Sequence, residues 1–242
     1  MKKDTRLILA LDLTEHDRAV EIAKDVVEFV DAIKVGYPLV LASGLRVVSE
    51  LSRFSPVIAD FKVADIPSVN EMICEEAFKA GAEAIIVHGF TGEDSISACV
   101  GVAETHDCGV FVVAEMSHPG GLRFYRSRAE EIARLARESG ACGIVAPATH
   151  PKRIQELKAA SGGLTVISPG IGAQGGNPFQ AIHAGADYII VGRSIYESKT
   201  PRTTAMNIRD EIKHCSASMM KKRSSEPLEM MNPMSSEVQR PL

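Results

Sequence analysis

Leu7-Ile-Leu-Ala-Leu11, Arg18-Ala-Val-Glu-Ile-Ala-Lys-Asp-Val-Val-Glu-Phe-Val30 and Ala32-Ile-Lys-Val35 decide the fold. The first and third are short apolar runs of strand length, and the segment between them sets apolar residues at helical spacing with charges between. They read as strand, helix, strand. Working outward, similar runs recur at Val57-Ile-Ala-Asp60, Ala84-Ile-Ile-Val87, Val110-Phe-Val-Val113, Gly143-Ile-Val-Ala146, Leu164-Thr-Val-Ile167 and Tyr188-Ile-Ile-Val191. The eight runs start at residues 7, 32, 57, 84, 110, 143, 164 and 188. That spacing of about 26 residues leaves room for one helix and two loops in each interval. Ala129 to Glu138 repeats the amphipathic pattern, and Gly81-Ala82 and Gly185-Ala186 stand where a helix C-cap glycine precedes a strand. Continuous apolar strands alternating with amphipathic helices predict a parallel sheet covered by helices. Eight such units predict an α/β fold closed as a (β/α)8 TIM barrel rather than an open doubly wound sheet.

The barrel is expected over residues 1–215. Ser216 to Leu242 is rich in Ser, Met, Pro and Glu, lacks apolar periodicity, and reads as a disordered C-terminal tail. Lys221, Lys222, Arg223 and Arg240 against Glu226, Glu229 and Glu237 leave it one net positive charge, too weak for a membrane or nucleic-acid arm.

At 242 residues, 45% hydrophobic and 24% charged, the chain is long enough for one large domain and too apolar to be mainly disordered. A net charge of -4 and the absence of Trp argue against nucleic acid as a partner. Five scattered Cys with no C-x-x-C pair fit thiols in a reducing, cytoplasmic setting, without disulfides or a zinc site. The run Leu7–Leu11 meets Asp12 before it reaches the length of a signal-peptide core. No stretch of 18 apolar residues predicts a membrane span.

In such a barrel the reactive groups lie at the C-terminal ends of the strands. The first strand ends in Asp12, the second carries Lys34, and the third ends in Asp60-Phe61-Lys62, with Asp65 three residues on. Alternation puts Asp60 and Lys62 on one face with Phe61 packed behind. Neighbouring strands about 4.8 Å apart bring Asp12, Lys34, Asp60 and Lys62 to one patch at the barrel mouth. A structural ion-pair plug is the plain alternative, but burying charges rarely repays their desolvation, so an alternating array of acids and bases points to chemistry.

Ser168-Pro-Gly-Ile-Gly-Ala-Gln-Gly-Gly176 follows the seventh strand and Val191-Gly-Arg-Ser194 the eighth. Loops at these places commonly take a phosphate, with Arg193 as a bidentate charge. Gly170-x-Gly172-x-x-Gly175 also matches a dinucleotide fingerprint, but it closes the seventh unit instead of opening the first, and position 190, where an acid is needed, is Ile. Glu115-Met-Ser-His-Pro-Gly-Gly121 can cover the mouth, with Ser117 offering a hydrogen bond to a polar ring. His88 closes the fourth strand and reads as a hydrogen-bonded structural histidine. His16, His106, His150, His183 and His214 form no ligand cluster, so no catalytic metal is expected.

At Asp60-Phe-Lys-Val-Ala-Asp-Ile-Pro67, Glu115-Met-Ser-His-Pro119 and Ser168–Gly176 the chain resembles the orotidine 5′-phosphate decarboxylase family, short archaeal type, from about Arg6 to about Lys213. The resemblance implies a (β/α)8 homodimer with shared active sites that converts orotidine 5′-monophosphate to UMP and CO2, the closing step of UMP synthesis, without cofactor or metal. It implies Lys62 as proton donor to C6, Asp60 beside the departing carboxylate and Lys34 holding the array. Asp65 and Ile66 would enter the partner's site, Asp12 would hold the ribose, and Ser117 and Gln174 would grip the pyrimidine. Gln174, Gly192 and Arg193 would take the phosphate. Val69 stands where a Thr hydroxyl is usual and His150 where Arg is common; the first removes one hydrogen bond, about 0.5 to 1.5 kcal/mol.

Two rivals remain at this point. A metal-dependent sugar-phosphate decarboxylase or aldolase of the same superfamily shares D-x-K-x-x-D and the phosphate loops, but Ile66-Pro67, Ser117 and Gln174 speak against it. A catalytically silent phosphate-binding barrel is disfavoured by the intact Lys34, Asp60, Lys62 and Asp65.

Overall fold

A computed structural model describes residues 3–172 and 174–225 of the chain. Eight parallel strands close in sequence order, each hydrogen-bonded to the next and the last to the first. The first half runs β1 (Leu7–Leu11), α1 (His16–Val26), β2 (Ala32–Gly36), α2 (Tyr37–Ser43), α3 (Arg46–Leu51), β3 (Val57–Val63), α4 (Pro67–Lys79) and β4 (Ala84–His88). Next come α5 (Glu93–Thr105), β5 (Gly109–Val113), α6 (Gly121–Phe124), α7 (Ala129–Glu138), β6 (Gly143–Val145) and α8 (Pro151–Ala160). Last are β7 (Thr165–Pro169), α9 (Pro178–His183), β8 (Tyr188–Val191), α10 (Arg193–Tyr196) and α11 (Pro201–Ser225). The (β/α)8 expectation holds, and all eight apolar runs are strands. At Gly81, φ is +99° and the Schellman bonds Gly81 N–H to Phe78 O and Ala82 N–H to Ala77 O end α4, which is why glycine stands there.

Strand alternation sorts the side chains into two cores. Outward residues such as Leu7, Leu9, Ile33, Val35 and Ala59 pack under the helices in one continuous cluster. Inward residues form a second, lining the barrel: Ile8 and Ala10 from β1, Ala32, Ile58, Ala84 and Ile86, Phe111 and Val113, then Val145, Ile167, Tyr188 and Ile190. Two residues further along the same inward rows stand Asp12, Lys34, Asp60, Glu115 and Gly192. The barrel interior is therefore apolar to its last layer and turns polar only at the C-terminal rim. Parallel register sets Lys34 level with Ala10 of β1 and Ile58 of β3, and Asp60 level with Gly36, so Lys34 starts one inward layer below Asp12 and Asp60 and its long side chain reaches up to both carboxylates.

The tail boundary needs correction. Residues 216–225, expected to be disordered, continue α11 to Ser225. The stretch Ser216-Ala-Ser-Met-Met-Lys-Lys-Arg223 contains no helix breaker, and Ala, Met, Lys and Arg propagate a helix without apolar periodicity. The remainder of the expected tail, 226–242, lies outside the described residues. Among the described residues no helix is long and apolar enough to cross a membrane.

Candidate active site

A cavity of about 330 Å³ opens at the C-terminal rim, floored by Ala10, Ile86, Val113, Val145 and Ile190 of the inner core. Over that floor stand Asp12, Lys34, Asp60 and Lys62 on one side and Ser117, Gln174, Gly192 and Arg193 on the other. The barrel thus brings both expected constellations to one space.

On the charged side, Asp60 lies between two ammonium groups. Its Oδ2 is 2.7 Å from Lys34 Nζ and its Oδ1 is 2.7 Å from Lys62 Nζ, while Lys34 also reaches Asp12 Oδ1 at 3.2 Å. The row Asp12–Lys34–Asp60–Lys62 alternates in sign and is buried at its centre and exposed at its ends: the side chains of Lys34 and Asp60 are 7% and 8% exposed, those of Asp12 and Lys62 43% and 36%. Burial alone would pull the Lys34 ammonium down, but the carboxylates of Asp60 and Asp12 outweigh it and hold the pKa above the ordinary lysine value. Burial alone would push the Asp60 carboxyl up; Lys34 and Lys62 outweigh that and hold it below its ordinary value. Both groups are charged at neutral pH, fixed by each other before any ligand arrives.

Lys62 sits in strained backbone, with φ +43° where non-glycine residues are uncommon, a state that costs about 1–3 kcal/mol. The β3–β4 register shifts between Ala59 and Val63, so Lys62 reaches the cavity through a bulge rather than by plain alternation. Phe61 packs behind as expected, 5% exposed and stacked on Tyr37 with ring centroids 5.5 Å apart.

Across the cavity the groups ride on loops. Glu115, fully buried, accepts hydrogen bonds from Arg126 Nε (3.1 Å) and Arg153 Nε (2.8 Å), which pins the start of the loop that carries Ser117. Gln174 stands in the turn after β7, whose ends are tied by Gly176 N–H to Gly170 O (2.9 Å) and Gly172 N–H to Gly176 O (3.2 Å). Gly172 has φ +70°, and a Cβ there would lie 2.4 Å from Ser194 Oγ, so the two expected phosphate loops touch at this glycine. Arg193 opens α10, one turn before Tyr196, which also lines the cavity. Burial, then the Asp12 carboxylate, pushes the Tyr196 phenol up and keeps it neutral.

The residues expected to serve a second copy stand apart. Asp65 and Ile66 are exposed and lie outside this cavity; Asp65 Oδ1 instead accepts its neighbour's Ile66 N–H at 2.7 Å. His88 does not line the cavity and is hydrogen-bonded through Nδ1 to the Tyr125 hydroxyl, matching the structural reading. Burial, then the Lys62 charge, pushes its pKa down to about 4. Sequence reasoning missed Tyr196 and the roles of Glu115, Arg126 and Arg153. For Glu115 a signal existed, since it is an acid directly following an apolar strand. Among the described residues no three His, Cys, Asp or Glu side chains are grouped to hold a metal ion.

Against known proteins, residues 5–208 match the family model "Orotidine 5′-phosphate decarboxylase / HUMPS family". The orotidine 5′-phosphate decarboxylase of Methanosarcina mazei is 59% identical over 213 residues, covering 88% of this chain and 97% of that one. That of Thermococcus kodakarensis is 44% identical, covering 87% and 98%. Among solved structures, orotidine 5′-monophosphate decarboxylase from Methanocaldococcus jannaschii complexed with inhibitor BMP superposes with a TM-score of 0.82 at 45% identity, covering 85% of this chain and 97% of that one. The Pyrococcus horikoshii OT3 orotidine 5′-phosphate decarboxylase gives 0.79 at 42% identity, covering 86% and 99%.

Proposed function

The chain belongs to the orotidine 5′-phosphate decarboxylase / HUMPS family, and from that premise we propose how its own residues convert orotidine 5′-monophosphate to UMP and CO2. The reaction, that of a carboxy-lyase, breaks the bond from C6 to the carboxylate, leaves the electron pair on C6 and ends when a proton takes the place of CO2. The observation that carries the assignment of roles is the Lys34–Asp60–Lys62 row, held at 2.7 Å contacts over an apolar floor.

Lys62, the more exposed cation of the row, stabilises the developing C6 carbanion and gives it the proton. Its ammonium is regenerated from solvent. Asp60, locked in its ionised form, faces the substrate carboxylate and repels the ground state but not neutral CO2, part of the effect being transition-state stabilisation alone. Lys34 keeps Asp60 in place, and Asp12 meets the ribose. Ser117 and Gln174 take the pyrimidine, while Gln174, Gly192 and Arg193 take the phosphate, whose binding energy orders the loops around the reacting ring. No cofactor enters this scheme.

Asp65 and Ile66 serve the site of a second copy. What supports a homodimer is where five of the eight large exposed apolar side chains among the described residues lie: Tyr37 and Leu41 on α2, Ile66 before α4, Met72 on α4 and Phe90 just after β4. All follow three consecutive strands, an apolar side suited to self-association. The free thiols of Cys74, Cys99, Cys108 and Cys142 support a cytoplasmic setting.

One assay separates this reading from its rivals. With orotidine 5′-monophosphate and excess EDTA, orotate absorbance should fall at an undiminished rate. A metal-dependent sugar-phosphate enzyme would lose its activity to EDTA, and a silent barrel would show no turnover; no loss of orotate absorbance overturns the proposal.

A further inference from the structure

Asp65 leaves its own cavity, yet its peptide is clamped. Asn70, in the first turn of α4, is fully buried, and its side chain closes on Asp65 from both sides. Oδ1 accepts the Asp65 N–H at 3.0 Å, and Nδ2 donates to the Asp65 carbonyl at 3.0 Å. Nδ2 also donates to Ser95 Oγ at 2.5 Å, and that hydroxyl donates back to the Asp65 carbonyl at 3.3 Å. Ser95 is 3% exposed and comes from α5, in the next βα unit, where its own N–H is held by Asp94 Oδ1 at 2.9 Å. The clamp therefore ties the loop after β3 to two helices.

A buried amide is expensive unless its hydrogen bonds are made, and an apolar side chain would fill the same space without that requirement. Here both ends of the Asn70 amide are used on Asp65. The exposed Asp65–Ile66 tip, with Ile66 62% exposed, leads straight into α4, whose first turn bonds the Ile66 carbonyl through Val69 N–H and Asn70 N–H, while the Asp65 peptide itself is held by Asn70 and Ser95. A charged group that must work at a distance needs its support built in.

We propose that Asn70, backed by Ser95, is the positioning residue for Asp65, holding the tip in the conformation in which it enters the partner's cavity. The inference rests on the reading of Asp65 as a group supplied across the dimer. Asn70 touches no substrate; it acts only through Asp65. Its defect must therefore appear in the other subunit's site, which a merely structural role does not produce.

The test uses full-length dimers carrying two different affinity tags. Asn70→Ala homodimers should lose about tenfold to a hundredfold in kcat/KM, the range for a displaced catalytic group. In Asn70→Ala/Lys62→Ala heterodimers, the site on the Asn70→Ala subunit keeps its own Lys62 and receives Asp65 from a chain whose Asn70 is intact. Those heterodimers should show about half the wild-type activity per dimer. Asp65→Asn/Lys62→Ala heterodimers are measured beside them. Half activity there with none from the Asn70→Ala pair discards Asn70 and keeps the shared site; no activity from either discards both. If Asn70→Ala does not fold, Ser95→Ala carries the same test with a fall of about twofold to tenfold, the range for one hydrogen bond. Unchanged kcat/KM in a folded Asn70→Ala homodimer, or in Ser95→Ala where that stands in, also overturns the proposal.

Discussion

The two sides of the barrel mouth are built differently. On β1, β2 and β3 the working side chains extend the inner rows of the barrel, and Lys34 and Asp60 are buried and paired before substrate arrives. On the side of β5, β7 and β8, Ser117, Gln174 and Arg193 stand on loops or a one-turn helix, the last two exposed. On the proposed roles the difference separates chemistry from binding: charges that act on a transition state must be in place beforehand, whereas groups that grip a substrate can be ordered by it.

If that division holds, substitutions on the charged side should damage turnover or stability, and those on the loop side apparent binding. The largest effect belongs to Lys62→Ala, which removes cation and proton donor together and should lower kcat by at least about 10⁴-fold in steady-state assays while leaving the melting temperature nearly unchanged. A loss below tenfold would erase the distinction. Lys34→Met leaves Asp60 buried with half its partners and should destabilise the fold by about 3–5 kcal/mol in denaturant unfolding. Arg193→Ala should reduce kcat/KM by about 2–4 kcal/mol without altering stability, and phosphite dianion should restore part of it. An unchanged rate would move the phosphate site elsewhere.

A smaller effect concerns pH. His88 titrates near 4 in the folded chain against 6.5 ordinarily, so between those values the unfolded chain binds more protons. Stability should rise with pH across that window and be lost as pH falls through it. Partial exposure of the ring brings the full linkage of about 3 kcal/mol down to about 1–2 kcal/mol. Equilibrium unfolding at pH 4.5 and 7 checks it, and His88→Phe should flatten the slope. The smallest effect is expected on deleting residues 226–242, which should keep turnover within about twofold because the cavity residues all fall between Ala10 and Tyr196.

The same division explains what was legible in the sequence. Strands, their order and the charged rim follow from period and adjacency, so Asp12, Lys34, Asp60 and Lys62 could be placed together from the apolar runs alone. The bulge that turns Lys62 to φ +43° could not, because nothing in Asp-Phe-Lys-Val announces a register shift. The Asn70–Ser95 clamp joins residues 25 apart on different helices, and the Glu115–Arg153 pair spans 38, separations at which local pattern says nothing. The extent of α11 is not legible from apolar periodicity, because the stretch 216–223 lacks that period yet contains no helix breaker. Gln174, Gly192 and Arg193 were legible as a glycine-rich loop pair, since the place of such loops in the barrel repeat carries the information.

The central claim is that one chain does not complete its own site: Lys62 acts where it stands and Asp65 acts across the dimer. Lys62→Ala and Asp65→Asn homodimers should each be nearly inactive. Unfolded together in equal amounts and refolded, they pair at random, so about half the dimers are mixed, and each mixed dimer holds one site with both groups. About a quarter of wild-type activity should return. If refolded dimers verified to be mixed regain none, Asp65 works in its own chain and the shared site is wrong.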